Sequence, residues 1–324
     1  MKTVLHSTVV SFLLIVAAHA TVLASETETL RGPFDLAVAH SSEIQYFTME
    51  SRMMTYALNG DRLGTDVFRL YLKCVPSSVS GKDGDEYTCL KFTVQLANGP
   101  ESEIPALKNW SYLFSKNSAG IDEKGQVFGI DHAQFTNLVD ANGSPIPPDK
   151  GYHVYNAFID FHAVCTVLAE PMEDGSGIQN LKSIGQKIVH TAAHSEAPVH
   201  LGDNIEKGST FKNGKVTLEF KGLSLVNARE CALIEYDSGE SSFKMKMKPM
   251  PNMEIPVVGS SHYKGDIYKD LRTGWVLKAN LSEVVVSEVT LPVPPNKINS
   301  VIERAILLNN VEEHEMRRLI SEKK

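Results

Sequence analysis

The chain contains few cysteines and lacks the short motifs that mark common redox and catalytic sites. Its four cysteines include no C-x-x-C pair, which argues against a dithiol redox site and a zinc ribbon. No G-x-S-x-G, phosphate-loop or G-x-G-x-x-G sequence is present. A nucleophile elbow, a P-loop and a dinucleotide-binding turn are therefore excluded.

Excess positive charge is also missing. The sequence has 32 Lys and Arg against 39 Asp and Glu, for a net charge of −7. A mildly acidic, mixed surface argues against nucleic acid, which requires a basic face, and against anionic membrane surfaces. Beyond the N-terminus no apolar segment reaches the length that spans a bilayer. We therefore expect a soluble mature chain without a transmembrane segment.

The apolar run at the N-terminus extends from Val9 to Ala18 after a weakly basic start. Ala18-His19-Ala20 then supplies the small residues that a signal peptidase requires. We predict a cleaved Sec-type signal peptide over residues 1–24 and a secreted or periplasmic location. Because no cysteine follows the run, we do not expect a lipoprotein.

Alternation with period two is the strongest pattern in the rest of the chain. Phe243, Met245 and Met247 alternate with lysines, and Trp275 begins another alternating run. Strict alternation is typical of half-buried antiparallel strands. We predict a mainly β protein with two antiparallel lobes of the curved-sheet or half-barrel type, a short helical connector and a short C-terminal helix. The two predicted lobes cover residues 25–170 and 201–311. The predicted linker between them covers residues 171–200, and the charged tail covers residues 312–324.

Five further segments carry secondary-structure patterns of their own. Ile178–His194 has the best helical pattern of the linker, and Ile298–Val311 fits a strand better than a helix because it is rich in β-branched residues. Tyr152–Val167 fits a strand or a helix. The segments 68–92 and 216–236 both read as strand, loop and a strand that begins at a cysteine, which gives the hypothesis of a duplicated β unit.

Cys74 and Cys89 flank a polar stretch between two strand-like runs. In an oxidising compartment four cysteines allow three pairings. We predict a Cys74–Cys89 disulfide that closes a hairpin. The alternative is four buried thiols.

Histidines supply the best candidates for metal chemistry. On the predicted helix, His190 and His194 share a face at i and i+4 and could bind one metal ion. The position after the first histidine is Thr191, so the carboxylate that activates water in zincin proteases is missing. Asp160 and His162 would share a face on a strand and form a candidate catalytic pair, in which the carboxylate orients the histidine. The alternatives are a solvated helix end and a polar strand face.

Met245, Met247 and Trp275 are candidates for binding an apolar ligand. Curved antiparallel sheets with one apolar face can hold such a ligand, and methionine adapts to irregular surfaces. The alternative is that all three side chains pack in the core.

The segment from Gly259 to Pro292 contains Ser260-Ser261-His262-Tyr263-Lys264-Gly265-Asp266-Ile267-Tyr268 and then Thr273-Gly274-Trp275. It resembles the C-terminal regions of uncharacterised exported bacterial β proteins, in which a glycine-turn-aspartate strand leads into a tryptophan strand. The resemblance is confined to the C-terminal third of the chain. It implies an antiparallel fold and an envelope or secreted location, and it implies no activity and no site residue.

These observations favour an exported, non-enzymatic binding or interaction protein of the cell envelope. Its expected partner is a small apolar ligand or another envelope protein, and no cofactor is expected. The alternative function is a metal-dependent hydrolase that uses His190 and His194.

Overall fold

The computed structural model describes residues 32–114, 128–171, 175–197, 205–250 and 253–322. The predicted signal peptide lies outside this part of the chain. Within it, fourteen strands form one antiparallel sheet. The strands are β1 (Gln45–Tyr56), β2 (Arg62–Val75), β3 (Asp85–Gln95), β4 (Glu101–Glu103), β5 (Trp110–Phe114), β6 (Lys187–Val189), β7 (Glu196–Ala197), β8 (Thr210–Lys212), β9 (Thr217–Val226), β10 (Arg229–Asp237), β11 (Ser241–Met250), β12 (Met253–Asp270), β13 (Val276–Thr290) and β14 (Lys297–Val311).

The order along the main path of the sheet is β4-β3-β2-β1-β14-β13-β12-β10-β9-β6, with β11 on β12 and β5 on β3. The first strand therefore pairs with the last, from Tyr46↔Val311 to Tyr56↔Val301. The predicted mainly β, antiparallel class is confirmed. The two sequence halves share one sheet, and their division into two lobes stays a prediction.

A corner crosses three neighbouring strands of the sheet. β10 and β11 both run antiparallel to β12 and are separated only by a short break at residues 238–240. A break at the same position along the sheet separates β8 from β9 and β6 from β7. Gly239 has φ +61°, and a Cβ there would lie 2.7 Å from the backbone nitrogen of Lys215. The corner therefore depends on glycine.

Among the described residues, three α-helices accompany the sheet: α1 (Ser77–Ser80), α2 (Pro148–His162) and α3 (Glu313–Ser321). Val154, Phe158 and Phe161 are buried, and their spacing places them on one face of α2, which packs against the sheet. A π-helical turn, Ala163–Val167, continues α2. The strand interpretation of Tyr152–Val167 is therefore wrong, and the helical alternative is confirmed.

The helix predicted over Ile178–His194 does not form. This segment contains a 3-10 turn, Ile178–Asn180, followed by β6, which pairs with β9. Gly185 has φ +84°, outside the helical region, and interrupts any continuous helix. The predictions for Ile298–Val311 as a strand and for a short C-terminal helix are confirmed by β14 and α3.

A single hydrophobic core joins the β1–β3 strands, α2 and the C-terminal strands. Its largest fully buried side chains include Trp275, Phe47 and Phe158. Among the residues that the structure describes, no helix is long and apolar enough to cross a lipid bilayer.

Candidate functional site

The inner face of the sheet carries the core and continues beyond it. Leu281 and Ile306 are opposite each other on this face and are buried. Farther along the same strands, side chains on the same face become half-buried. We call this region the apolar strip, and it comprises Met245, Met247, Ile255, Val257, Val285 and Val289.

Strand register brings the apolar strip together. Met245 is opposite Val257, and Val257 is opposite Val289 on its other side. Met247 is opposite Ile255. Although Val257 has a paired neighbour on each side, the side chains of the strip remain half-buried.

One aromatic ring closes part of the strip. Phe243 is opposite Gly259 and is 9% exposed. A Cβ on Gly259 would lie 2.4 Å from the tip of the Phe243 ring, so the ring lies directly over the glycine. Ser287 and Ser300, opposite each other, continue this row and join their hydroxyls at 2.9 Å. Small residues thus make the face shallow within the strip, between Val285 and Val289.

A row of charged side chains separates the apolar strip from the core. Arg304 of β14 donates through Nε to Glu283 Oε2 at 2.8 Å and through Nη1 to Asp160 Oδ2 at 2.7 Å. Its guanidinium also lies over the Tyr263 ring, 5.2 Å from the centroid. Burial, followed by the charge of Asp160, holds the pKa of Glu283 well above its usual range. Burial also raises the pKa of Asp160, although Arg304 opposes that effect.

Asp160 and His162 do not form a pair, because α2 directs them to different partners. Asp160 contacts Arg304, whereas His162 Nε2 lies 2.7 Å from the Tyr112 hydroxyl inside the core. Burial lowers the pKa of His162 to about 3, so its imidazole is neutral. The strand geometry on which their catalytic pairing rested is not formed.

His190 and His194 lose the helix that would have placed them on one face. His190 is 3% exposed, and its Nδ1 accepts from the backbone nitrogen of Ala192 at 3.1 Å. His194 is exposed and has φ +60°. The metal site predicted at these residues therefore has no support from the local geometry.

Trp275 lies far from the two methionines. It precedes β13, whereas Val289, which joins the row of Met245, lies 14 residues later near the end of that strand. That separation is roughly 45 Å along an extended strand. Trp275 is fully buried and stacks on His40, with ring centroids 3.7 Å apart. For this residue the core alternative holds, and it cannot line a ligand face together with Met245 and Met247.

The predicted Cys74–Cys89 disulfide is wrong, and the alternative of four buried thiols is confirmed. All four cysteines lie in the described part of the chain, are buried and are free. Cys74 is opposite Tyr87 and Cys89 is opposite Leu72, so the two thiols are not directly across from each other. Burial raises the pKa of each of these thiols.

The sequence analysis missed a cluster of His40 and Asp85, which are half-buried, with Glu170, which is buried. One nitrogen or oxygen from each side chain lies within 4.8 Å of the other two. In the described part of the chain, these three residues are the group of His, Cys, Asp or Glu side chains whose spacing would suit the binding of one metal ion. Neither His190 nor His194 belongs to this group. The three residues are far apart in sequence, so no local sequence motif contains them.

No protein-family model matches the sequence, and no curated protein matches it. Among solved structures, the chain is similar to a domain from Vibrio parahaemolyticus described as an outer membrane lipoprotein-sorting protein. The identity is 10%, the match covers 88% of this chain and 94% of that chain, and the TM-score is 0.15. A likeness at this TM-score supports no conclusion about the function of this chain.

Proposed function

We propose that the protein is an exported, non-enzymatic binding protein of the cell envelope that holds an apolar ligand on the inner face of its curved sheet. The observation that carries the proposal is the apolar strip. A core-facing row of Met, Ile and Val continues past the charged row of Arg304 and remains half-buried instead of closed.

The chemistry of the strip favours an apolar chain over a polar ligand. Its side chains present hydrocarbon and thioether groups, whose removal from water contributes about 25 cal/mol per Å². Met245 and Met247 can adjust their shape to an irregular ligand. The charged row at the inner end satisfies its own hydrogen bonds, because Arg304 is already paired with Glu283 and Asp160. It therefore limits how far an apolar chain can enter.

The proposal for location rests on the sequence of residues 1–24, which has the features of a signal peptide. Export through that signal would deliver the chain to the periplasm or the exterior. There a carrier for an apolar molecule has a physical use, because such molecules do not cross an aqueous compartment unaided.

Two adjacent valines provide a matched test of ligand binding. Val257 belongs to the strip, whereas Val258 is on the opposite face of the same strand and is 42% exposed. We expect the wild-type protein to bind an environment-sensitive naphthylamine dye, measured by fluorescence titration. Val257→Gln should weaken binding about tenfold, because a polar side chain replaces a contact worth about 1.5 kcal/mol. Val258→Gln should leave the affinity unchanged.

Native mass spectrometry of protein exported through its own signal provides the second readout. We expect a co-purified mass of lipid size that is lost in Val257→Gln and retained in Val258→Gln. Absence of both dye binding and bound lipid in the wild-type protein would reject the proposal. Equal effects of the two substitutions would move the binding site away from the strip and would also reject it.

A further inference from the structure

Three segments that are distant in sequence meet at the end of the sheet opposite the apolar strip. His40 lies in the extended segment before β1, Asp85 begins β3, and Glu170 follows the π-helical turn after α2. His40 Nδ1 lies 2.7 Å from Glu170 Oε1, and their side chains are 5% and 7% exposed. Buried charged groups are costly unless they are paired or bind a metal ion, so this arrangement requires an explanation.

The imidazole of His40 supplies a second and independent observation. Within the part of the chain that the structure describes, neither of its ring nitrogens has a hydrogen-bond partner, and both are inaccessible to solvent. The short contact between Nδ1 and Glu170 therefore lacks the alignment of a hydrogen bond. Trp275 stacks on the ring with an interplanar angle of 19°, which fixes the plane of the imidazole. Buried polar atoms without a hydrogen-bond partner are rare in folded proteins, and an ion held between the three side chains would supply the missing partner.

The surrounding groups set the charge of the cluster. Lys269 is buried nearby and donates to the backbone oxygens of Leu36 and Ala169, at 3.0 and 2.7 Å. Asp85 Oδ1 accepts from the backbone nitrogen of Ser77 at 2.7 Å, which leaves its second carboxylate oxygen for another partner. The two carboxylates and the one lysine have formal charges that sum to −1. A cation is the ligand that this charge favours.

We propose that His40, Asp85 and Glu170 bind a first-row divalent transition-metal ion, with Zn²⁺ the best match. An imidazole nitrogen with two carboxylate oxygens is a ligand set that Zn²⁺ accepts, whereas Mg²⁺ and Ca²⁺ select oxygen ligands. The three ligand atoms lie within 4.8 Å of one another, so modest side-chain adjustment brings them to one ion.

The ion would have a structural role. Its ligands come from the segment before β1, from β3 and from the end of the helical segment. A metal ion would therefore join the N-terminal segment to the sheet at the edge where Ser41 bonds Thr273 and Trp275. This site is independent of the apolar strip, which lies at the other end of β13.

Calorimetric titration of the chelator-treated protein with ZnCl₂ tests the site. We expect one Zn²⁺ per chain, a rise of Tm with added Zn²⁺, and no comparable rise with MgCl₂. Glu170→Gln, Asp85→Asn and His40→Gln should each weaken Zn²⁺ binding by at least about tenfold. The matched control is His190→Gln, which changes another buried histidine and should leave the affinity for Zn²⁺ unchanged.

Metal-free melting curves of every variant separate a lost ligand from a lost fold. The two conservative carboxylate variants keep the size of the side chain, so they keep the test decisive even where His40→Gln does not fold. Failure of the folded wild-type protein to bind Zn²⁺ would overturn the proposal and would leave only the direct contact between His40 and Glu170. Retained affinity in folded Glu170→Gln, or lost affinity in His190→Gln, would overturn it equally.

Discussion

His162 illustrates how a single buried polar side chain can govern the stability of this protein. Its ring is stacked on Phe114, with centroids 4.7 Å apart, and meets the edge of Tyr87. Its hydrogen bond to the Tyr112 hydroxyl satisfies one ring nitrogen without supplying charge. An imidazolium in this aromatic environment would be desolvated and unpaired, which is why burial lowers the pKa of His162 to about 3.

The lowered pKa predicts a loss of stability in mild acid. In the unfolded chain, His162 has its ordinary pKa of 6.5 and binds a proton below that pH. In the folded protein, the same imidazole stays neutral until the pH falls to about 3. The contribution of His162 is complete above pH 6.5 and is lost as the pH falls. Between pH 7 and pH 5 we expect the free energy of unfolding to decrease by about 2 kcal/mol through this residue, at 1.36 kcal/mol for each pH unit below 6.5.

Urea denaturation at a series of pH values measures this effect. His162→Gln retains a partner for the Tyr112 hydroxyl and should remove the decrease of about 2 kcal/mol that His162 contributes. The acid sensitivity that remains comes from His153, with a pKa also near 3, and from His190, whose pKa burial lowers. The control is His314→Gln, which replaces an exposed histidine on α3. An identical pH profile for wild type and His162→Gln would show that His162 is accessible to protons in the folded state.

At the scale of elements, the corner of the sheet requires a glycine at position 239. Gly239 has φ +61°, a conformation that costs other residues about 1–2 kcal/mol. A Cβ at this position would also lie 2.7 Å from the nitrogen and 3.1 Å from the oxygen of Lys215, both of them backbone atoms. The neighbouring strand would have to move as a unit to make space.

We therefore expect Gly239→Ala to lower the free energy of unfolding by about 3 kcal/mol or more, as the sum of conformational strain and overpacking. Gly81→Ala is the matched control. Gly81 has a similar φ of +69°, but no atom lies within 4 Å of the added methyl group, so its cost should stay near 1 kcal/mol. Chemical denaturation of both variants measures the difference, and equal losses would mean that the corner is not closely packed.

The strands could be predicted where one face is buried and the other is wet. The alternation in β11 and β13 identified them directly, because burial follows the period of the strand. The corner was not predicted, because its sequence resembles that of a different structure. Asp237-Ser238-Gly239 looks like a hairpin turn, yet the chain continues along the same edge of β12, and sequence does not specify which strand the next segment joins.

Helices were harder to predict than strands. α2 is buried on several sides, so its apolar residues fit a strand as well as a helix until packing against the sheet is known. The segment from Ile178 to His194 has helical spacing, but its partner is β9, and a sheet edge prevails over weak helix propensity. Because the predicted pairing of His190 with His194 depended on that helix, the error in the element became an error in the site.

The apolar strip and the histidine–carboxylate cluster differ in how far the sequence could reveal them. Met245 and Met247 were visible as one face of an alternating strand, and the structure added Val257, Val285 and Val289 through register. His40, Asp85 and Glu170 could not be associated, because only the folded chain brings their segments together. Long-range contacts of this kind leave no periodic signal in a single sequence.

At the scale of the whole molecule, the pairing of β1 with β14 joins the two sequence halves. Eleven consecutive residue pairs form this seam, from Tyr46↔Val311 to Tyr56↔Val301. The core is also shared, since α2 of the N-terminal half packs on strands from both halves and Asp160 binds Arg304. Neither half can keep its buried surface without the other. The two predicted lobes should therefore not unfold separately.

The two tryptophans test this expectation without any change of sequence. Trp110 lies in β5 of the N-terminal half and Trp275 lies before β13 in the C-terminal half, and the sequence has only these two. Incorporation of fluorotryptophan gives one fluorine resonance for each half. We expect both native resonances to disappear at the same urea concentration, because breaking the β1–β14 seam exposes the core of both halves at once. Two well-separated midpoints would contradict a single cooperative unit and would support the two independent lobes predicted from the sequence. A shared midpoint would mean that a ligand on the apolar strip and a metal ion at the opposite end of the sheet stabilise the same folding equilibrium, so that their effects on the free energy of unfolding add.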